Sequence, residues 1–188
     1  MFDGWSTFYG LVGGAAATLI GIMALVATLT SGSGNPARAE RGQRLFLTPT
    51  VFHMAGVLTL SALTLAPRQG HLAHAVLMTV PTLYGLVYAV IVAVQLSKVS
   101  SETAPHWSDF WCYGVLPVAA YAAILLAIPA AALWRGPGCV AFAAFLLVLL
   151  LTAIRNAWDL VIWLAPRRES LMRPDPPPEL ATDLPKPD

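Results

Sequence analysis

The chain has 188 residues, 57% of them hydrophobic and only 11% charged, with a formal net charge of +1. Soluble domains carry about 25% charged residues, so this composition excludes an ordinary water-soluble globule and points to a chain solvated by lipid. The near-neutral balance excludes a global field that would gather nucleic acid.

The hydropathy pattern predicts an all-α integral membrane bundle of five transmembrane helices, at about 8–30, 47–66, 74–97, 111–134 and 140–165. The segment before the first helix, "MFDGWSTFYG", carries no Lys or Arg. It lacks the positive start of a secretory signal, so helix one is expected to be retained. Along that helix Gly10, Gly14, Ala17, Gly21, Ala24 and Thr28 recur every three or four residues and share one face. Glycine costs intrinsic helicity, and in lipid a small-residue face is how two helices approach closely. Two occupants are open: the bundle itself, with helix one docked inside it, or a second subunit, as homo-oligomer or other membrane partner.

Gly32, Gly34, Asn35 and Pro36 break the chain after helix one. Arg38, Arg41 and Arg44 follow, and anionic lipid headgroups account for them without a specific ligand. Helix two contains His53. Helix three places Tyr84, Tyr88 and Gln95 along one face. His71 and His74 form an HxxH at its start, but a metal needs further ligands and none is offered, so they read as interfacial. Pro81, Pro117 and Pro129 are expected to kink helices three and four. Cys112 and Cys139 form no metal spacing and fall near opposite membrane faces, so no disulfide joins them.

The glycine-proline-glycine at 136–138 reads as the turn before helix five. That helix carries Arg155, Asn156 and Asp159 within one stretch of apolar sequence. On a helical wheel Arg155 and Asp159 share a face with Ala141, Ala144, Val148 and Thr152. This face is expected to point into the bundle, and Leu147, Leu150, Ile154, Ala157, Val161 and Leu164 toward lipid. Arg155 is expected near mid-depth and paired with Asp159, one turn on. His53, Tyr88, Gln95, Arg155, Asn156 and Asp159 are then expected to form one polar cluster. It serves either as a dry ion pair that sets helix register or as the lining of a path for an ion, a proton or a small polar solute. Residues 167–188, rich in proline and alternating charge, are expected to be a disordered tail.

Arg38, Arg41, Arg44, Lys98, Arg167, Arg168, Arg173 and Lys186 fall on one side of five spans, and Arg68 and Arg135 on the other. The positive-inside rule then sets the N-terminus outside and the C-terminus in the cytoplasm. Trp5, Trp107, Trp111, Trp134 and Trp163 fall near helix ends, as an interfacial aromatic belt requires. No P-loop, nucleophile elbow, HExxH or dinucleotide fingerprint is present, so no enzyme, cofactor or metal is expected.

"FYGLVGGAAATLIGIMALVATL" and "IRNAWDLVIW" resemble the first and last helices of small, uncharacterised polytopic proteins of bacterial inner membranes. Some similar chains carry a label as modulators of a membrane-bound ATP-dependent protease. The resemblance covers the two end helices and implies a location and a fold rather than a reaction. The sequence therefore supports two functions. One is a non-enzymatic membrane scaffold or regulatory subunit packed through helix one. The other is a small transporter or channel built around Arg155 and Asp159.

Overall fold

The computed structural model describes Phe2 and residues 4–30, 47–67, 70–98 and 110–172. Among these residues every regular element is helical: α1 (Ser6–Thr30), α2 (Thr48–Thr64), α3 (His71–Ser97), a π-helical turn (Phe110–Val115) that leads into α4 (Leu116–Leu133), and α5 (Arg135–Met172). Four stretches are long and apolar enough to cross a membrane: Ser6–Thr28, Leu72–Ser97, Phe110–Leu133 and Gly136–Ile162. The surface agrees with this. Leu11, Leu126 and Leu133 stand 73–74% exposed, an arrangement that water penalises and acyl chains accept. The chain is a helical membrane protein.

The exception is α2. Its 17 residues span about 25 Å at ~1.5 Å per residue, short of a ~30 Å hydrocarbon core. It starts with Pro49 in its first turn, where a missing N–H costs nothing. It ends when Leu65 and Ala66 donate to the carbonyls of Ala62 and Leu63, a tightened last turn. This helix is nonetheless the centre of the bundle, packed against α1, α3 and α5. Thr50, His53, Met54, Val57, Leu60 and Ser61 are all buried on it.

Outside that centre, α4 lies along α5 and α3. The reversal between α4 and α5 differs from the expected turn at 136–138. Trp134 makes it, with φ −123° and ψ 78° and its N–H donating to Ala130 at 2.7 Å. The glycine-proline-glycine instead forms the first turn of α5. Gly138 is needed there for space: a Cβ on it would overlap the backbone of Ala130 and Ala131. The two helices therefore leave the turn in close antiparallel contact.

Two further expectations change. Residues 167–172, expected in the disordered tail, continue α5, because Arg, Glu, Leu and Met favour the helix and the proline run begins only later. His74, expected at the interface, is 9% exposed with its ring 6.1 Å from that of Phe2. Pro81 and Pro129 do lie inside helices, whereas Pro117 sits at the start of α4. Arg38, Arg41, Arg44, Trp107 and residues 173–188 lie outside the described residues.

Candidate functional site

The buried side of α5 is rotated from the one expected by about one residue, roughly 100°; Thr152 is buried and Ile154 exposed as expected. Cys139, Phe142, Leu146, Leu149, Ala153, Asn156 and Leu160 point into the bundle, while Ala144, Val148 and Leu151 point out. Leu150 and Ala157, expected toward lipid, are 5% and 7% exposed. Neither size nor polarity alone sorts the two sides: Ala143, Ala153 and Asn156 are buried with Phe142, Leu146 and Leu149, while Phe145, Leu151 and Trp158 are exposed. Polarity was a misleading guide because Arg155 and Asp159 neutralise each other. Their charged atoms lie 3.0 Å apart across one turn, and both side chains remain 37% exposed.

The antiparallel hairpin sets Asn156 beside Cys112, the third residue of the Phe110–Leu133 stretch. Arg155, Asn156 and Asp159 thus fall within the last eight residues of the apolar stretch Gly136–Ile162. A charge near the end of a span costs less than one at its centre.

Asn156, 0% exposed, is the keystone of this end. In the π-helical turn the partner of the Cys112 carbonyl would be the nitrogen of Pro117, which carries no hydrogen. The Asn156 side-chain amide donates to that carbonyl instead, at 3.0 Å. The Tyr113 hydroxyl donates back to the Asn156 main-chain carbonyl at 2.9 Å. The Asn156 side-chain oxygen faces Arg155 Nη1 at 3.4 Å. A carbonyl freed by proline inside an apolar bundle has thereby found a donor on the neighbouring helix, as lipid solvation demands.

The second polar centre lies near mid-bundle. His53 is 1% exposed, and its Nδ1 is 3.4 Å from the Tyr121 hydroxyl. Tyr121 occupies a notch made by two glycines: a Cβ on Gly85 would meet its ring, and one on Gly56 its hydroxyl. Gly56 and Gly85 lie near the middle of α2 and α3, and His53 and Tyr121 in the second turn of α2 and α4. Phe52 stacks on Tyr88 with ring centroids 3.9 Å apart, and Tyr88 meets the edge of His53 at 6.3 Å. His53 Nε2 has no hydrogen-bond partner.

The expected six-residue cluster is therefore two sites. His53 and Tyr88 belong to one, and Arg155, Asn156 and Asp159 to the other. Gln95 joins neither and is exposed on α3. Sequence reading missed Tyr121, Cys112 and Tyr113. The mid-helix glycines 56 and 85, and Pro117 near the start of α4, were the available signals.

The small-residue face of α1 has its own outcome. Gly10, Gly14, Ala17, Gly21, Ala24 and Thr28 are all exposed. The opposite face, with Tyr9, Val12, Gly13, Ala16 and Met23, carries the packing within the bundle. Helix one docks, but through the other side. Gly13 shows why: its missing Cβ leaves room for Ser61 Cβ of α2, 3.0 Å from where that atom would be. A Cβ at Gly10, Gly14 or Gly21 would meet nothing within 4 Å.

Among the described residues no group of three or more His, Cys, Asp or Glu could hold a metal ion. Comparison of the chain with family models, with curated proteins and with solved structures gives no match, so what stands at this point is an all-helical membrane protein with two separated polar centres.

Proposed function

We propose that the protein is a non-enzymatic membrane scaffold or regulatory subunit that assembles through the outer face of α1. One observation carries this reading: among the described residues, a Cβ added at Gly10, Gly14 or Gly21 on that face would meet nothing within 4 Å, while Tyr9, Val12, Gly13 and Ala16 on the other side are buried. The outward side of α3 exposes Val76, Val80, Val87 and Ile91 and no glycine, whereas on α1 the exposed glycines stand among exposed Leu11, Ile22 and Leu25; bulky aliphatics suit acyl chains. A helix gains nothing from glycine toward lipid and loses roughly 1 kcal/mol of helix propensity at each. Close approach by another helix restores that loss through dispersion and weak backbone contacts. Five crossings, a bacterial inner membrane, and an N-terminus outside belong to the same proposal. They rest on the Lys and Arg distribution and on the resemblance of the end helices.

The alternative, a transporter or channel using Arg155 and Asp159, is less well supported. Those groups pair with each other toward one end of a span, and His53 lies apart from them.

The test is the oligomeric state of the purified protein in lipid nanodiscs, read by subunit-counting photobleaching. We expect more than one copy, or co-purification of a defined membrane partner, and loss of that association in Gly14→Leu. A wild-type protein that is monomeric and partnerless, or a Gly14→Leu variant that associates as before, overturns the proposal.

A further inference from the structure

The residues ahead of α1 fold back onto the bundle. Gly4 has φ +85°, the left-handed region that side-chain-bearing residues rarely adopt, and it is the one such position among the described residues. The turn is closed by the Trp5 N–H donating to the Phe2 carbonyl at 3.1 Å. It delivers the ring of Phe2, 7% exposed, into the bundle end. There the ring meets Tyr9 of α1 at 5.3 Å, Phe142 of α5 at 5.1 Å and His74 of α3 at 6.1 Å between centroids. Phe2 is not part of any spanning helix, so it can leave without unfolding one. Beside it the Tyr9 hydroxyl is buried without a hydrogen-bond partner, in a residue that is 0% exposed. A buried phenol normally finds an acceptor, and a phenyl ring offers none of useful strength.

We propose that the slot between Tyr9, His74 and Phe142 is a binding site for a planar aromatic molecule bearing one hydrogen-bond acceptor, and that Phe2 is a reversible plug that fills it. The plug supplies the ring that the slot fits, and the ligand adds the acceptor that Tyr9 lacks. Competition between them is the physical basis of the site. The plug has the advantage of being tethered, and the ligand that of one more hydrogen bond.

Cys139 reports on the slot. It lies one turn before Phe142 on the same buried face, is 1% exposed, and belongs to the same core cluster as Phe2 and Tyr9. In full-length protein with Cys112→Ser, the rate of alkylation by N-ethylmaleimide reads Cys139 alone. We expect Phe2→Ala to raise that rate about tenfold, as an opened site does relative to a closed one. Acetophenone, an aromatic ketone, should slow the reaction again, and ethylbenzene, its counterpart without the carbonyl, should do so much less. Tyr9→Phe should abolish the difference between the two compounds. An unchanged alkylation rate in a Phe2→Ala protein that keeps its thermal midpoint overturns the proposal. Equal protection by both compounds overturns the hydrogen-bonding role and with it the proposed ligand class. If Phe2→Ala does not fold, Gly4→Ala strains only the turn and leaves the slot intact. We expect it to raise the rate about fivefold, the low end of the strain of a Cβ at positive φ, with the same response to acetophenone. No rise there sinks the plug.

Discussion

Gly85 and Gly14 are both mid-helix glycines in apolar spans, yet they have opposite surroundings. Gly85, on α3, is overrun by the ring of Tyr121 from α4, while Gly14, on α1, has nothing within 4 Å. In a bilayer, helices gain little hydrophobic energy by meeting each other, so glycine is useful where a neighbour must come close. Inside the bundle that neighbour is in the same chain. On the outer face of α1 it is not among the described residues, and the proposed assembly supplies it.

The largest effect is expected at an inner glycine that faces backbone, which cannot rotate away. Gly138→Ala would force α5 off Ala130 and Ala131 and should cost about 3 kcal/mol, the upper range for overpacking. Thermal unfolding in detergent measures it, and an unchanged midpoint would refute the tight α4–α5 reversal. Gly85→Ala comes next. The ring of Tyr121 can shift to some extent, so we expect about 1–3 kcal/mol, partly recovered in combination with Tyr121→Leu. If the double variant is no better than the single one, the clash is not the cause.

Asn156→Ala should cost about 1–2 kcal/mol, since it strips the donor from the Cys112 carbonyl in a low-dielectric setting. Pro117→Ala restores a backbone N–H near that carbonyl, so the Asn156→Ala penalty should shrink in its background. Equal penalties in both backgrounds would separate Asn156 from the proline. Gly14→Leu sharpens the comparison from the other side. Bundle stability should change by less than about 0.5 kcal/mol, or rise with the gain in helix propensity, while association is lost. A large drop in the stability of an isolated subunit would place Gly14 with the inner glycines.

The same contrast explains what could be read from residue order. Spans were legible because a run of apolar residues has the same meaning wherever it packs. Their inward faces were not. In α5, Leu146, Ala153 and Asn156 are buried and Val148, Leu151 and Trp158 are exposed, so neither size nor polarity alone marks the inward face. In water the polar face of a helix points outward by default. In lipid an ion pair such as Arg155–Asp159 can stay toward one end of a span, so the rule loses its direction. The stripe on α1 was equally visible in the sequence, but a pattern of small residues states only that something comes close, not from which side.

What residue order determined by itself is the solvent: too much apolar surface for water, arranged in runs that lipid accepts only as helices, because each backbone group must be paired within its own segment. What only the tertiary structure decided is which atoms meet across helices. The donor for the Cys112 carbonyl sits forty-four residues away on Asn156, and the notch for Tyr121 is shared between Gly56 and Gly85 on different helices. Such meetings depend on register and rotation between helices, which are fixed by the fit of side-chain volumes from several helices at once and leave no periodic mark on any one of them.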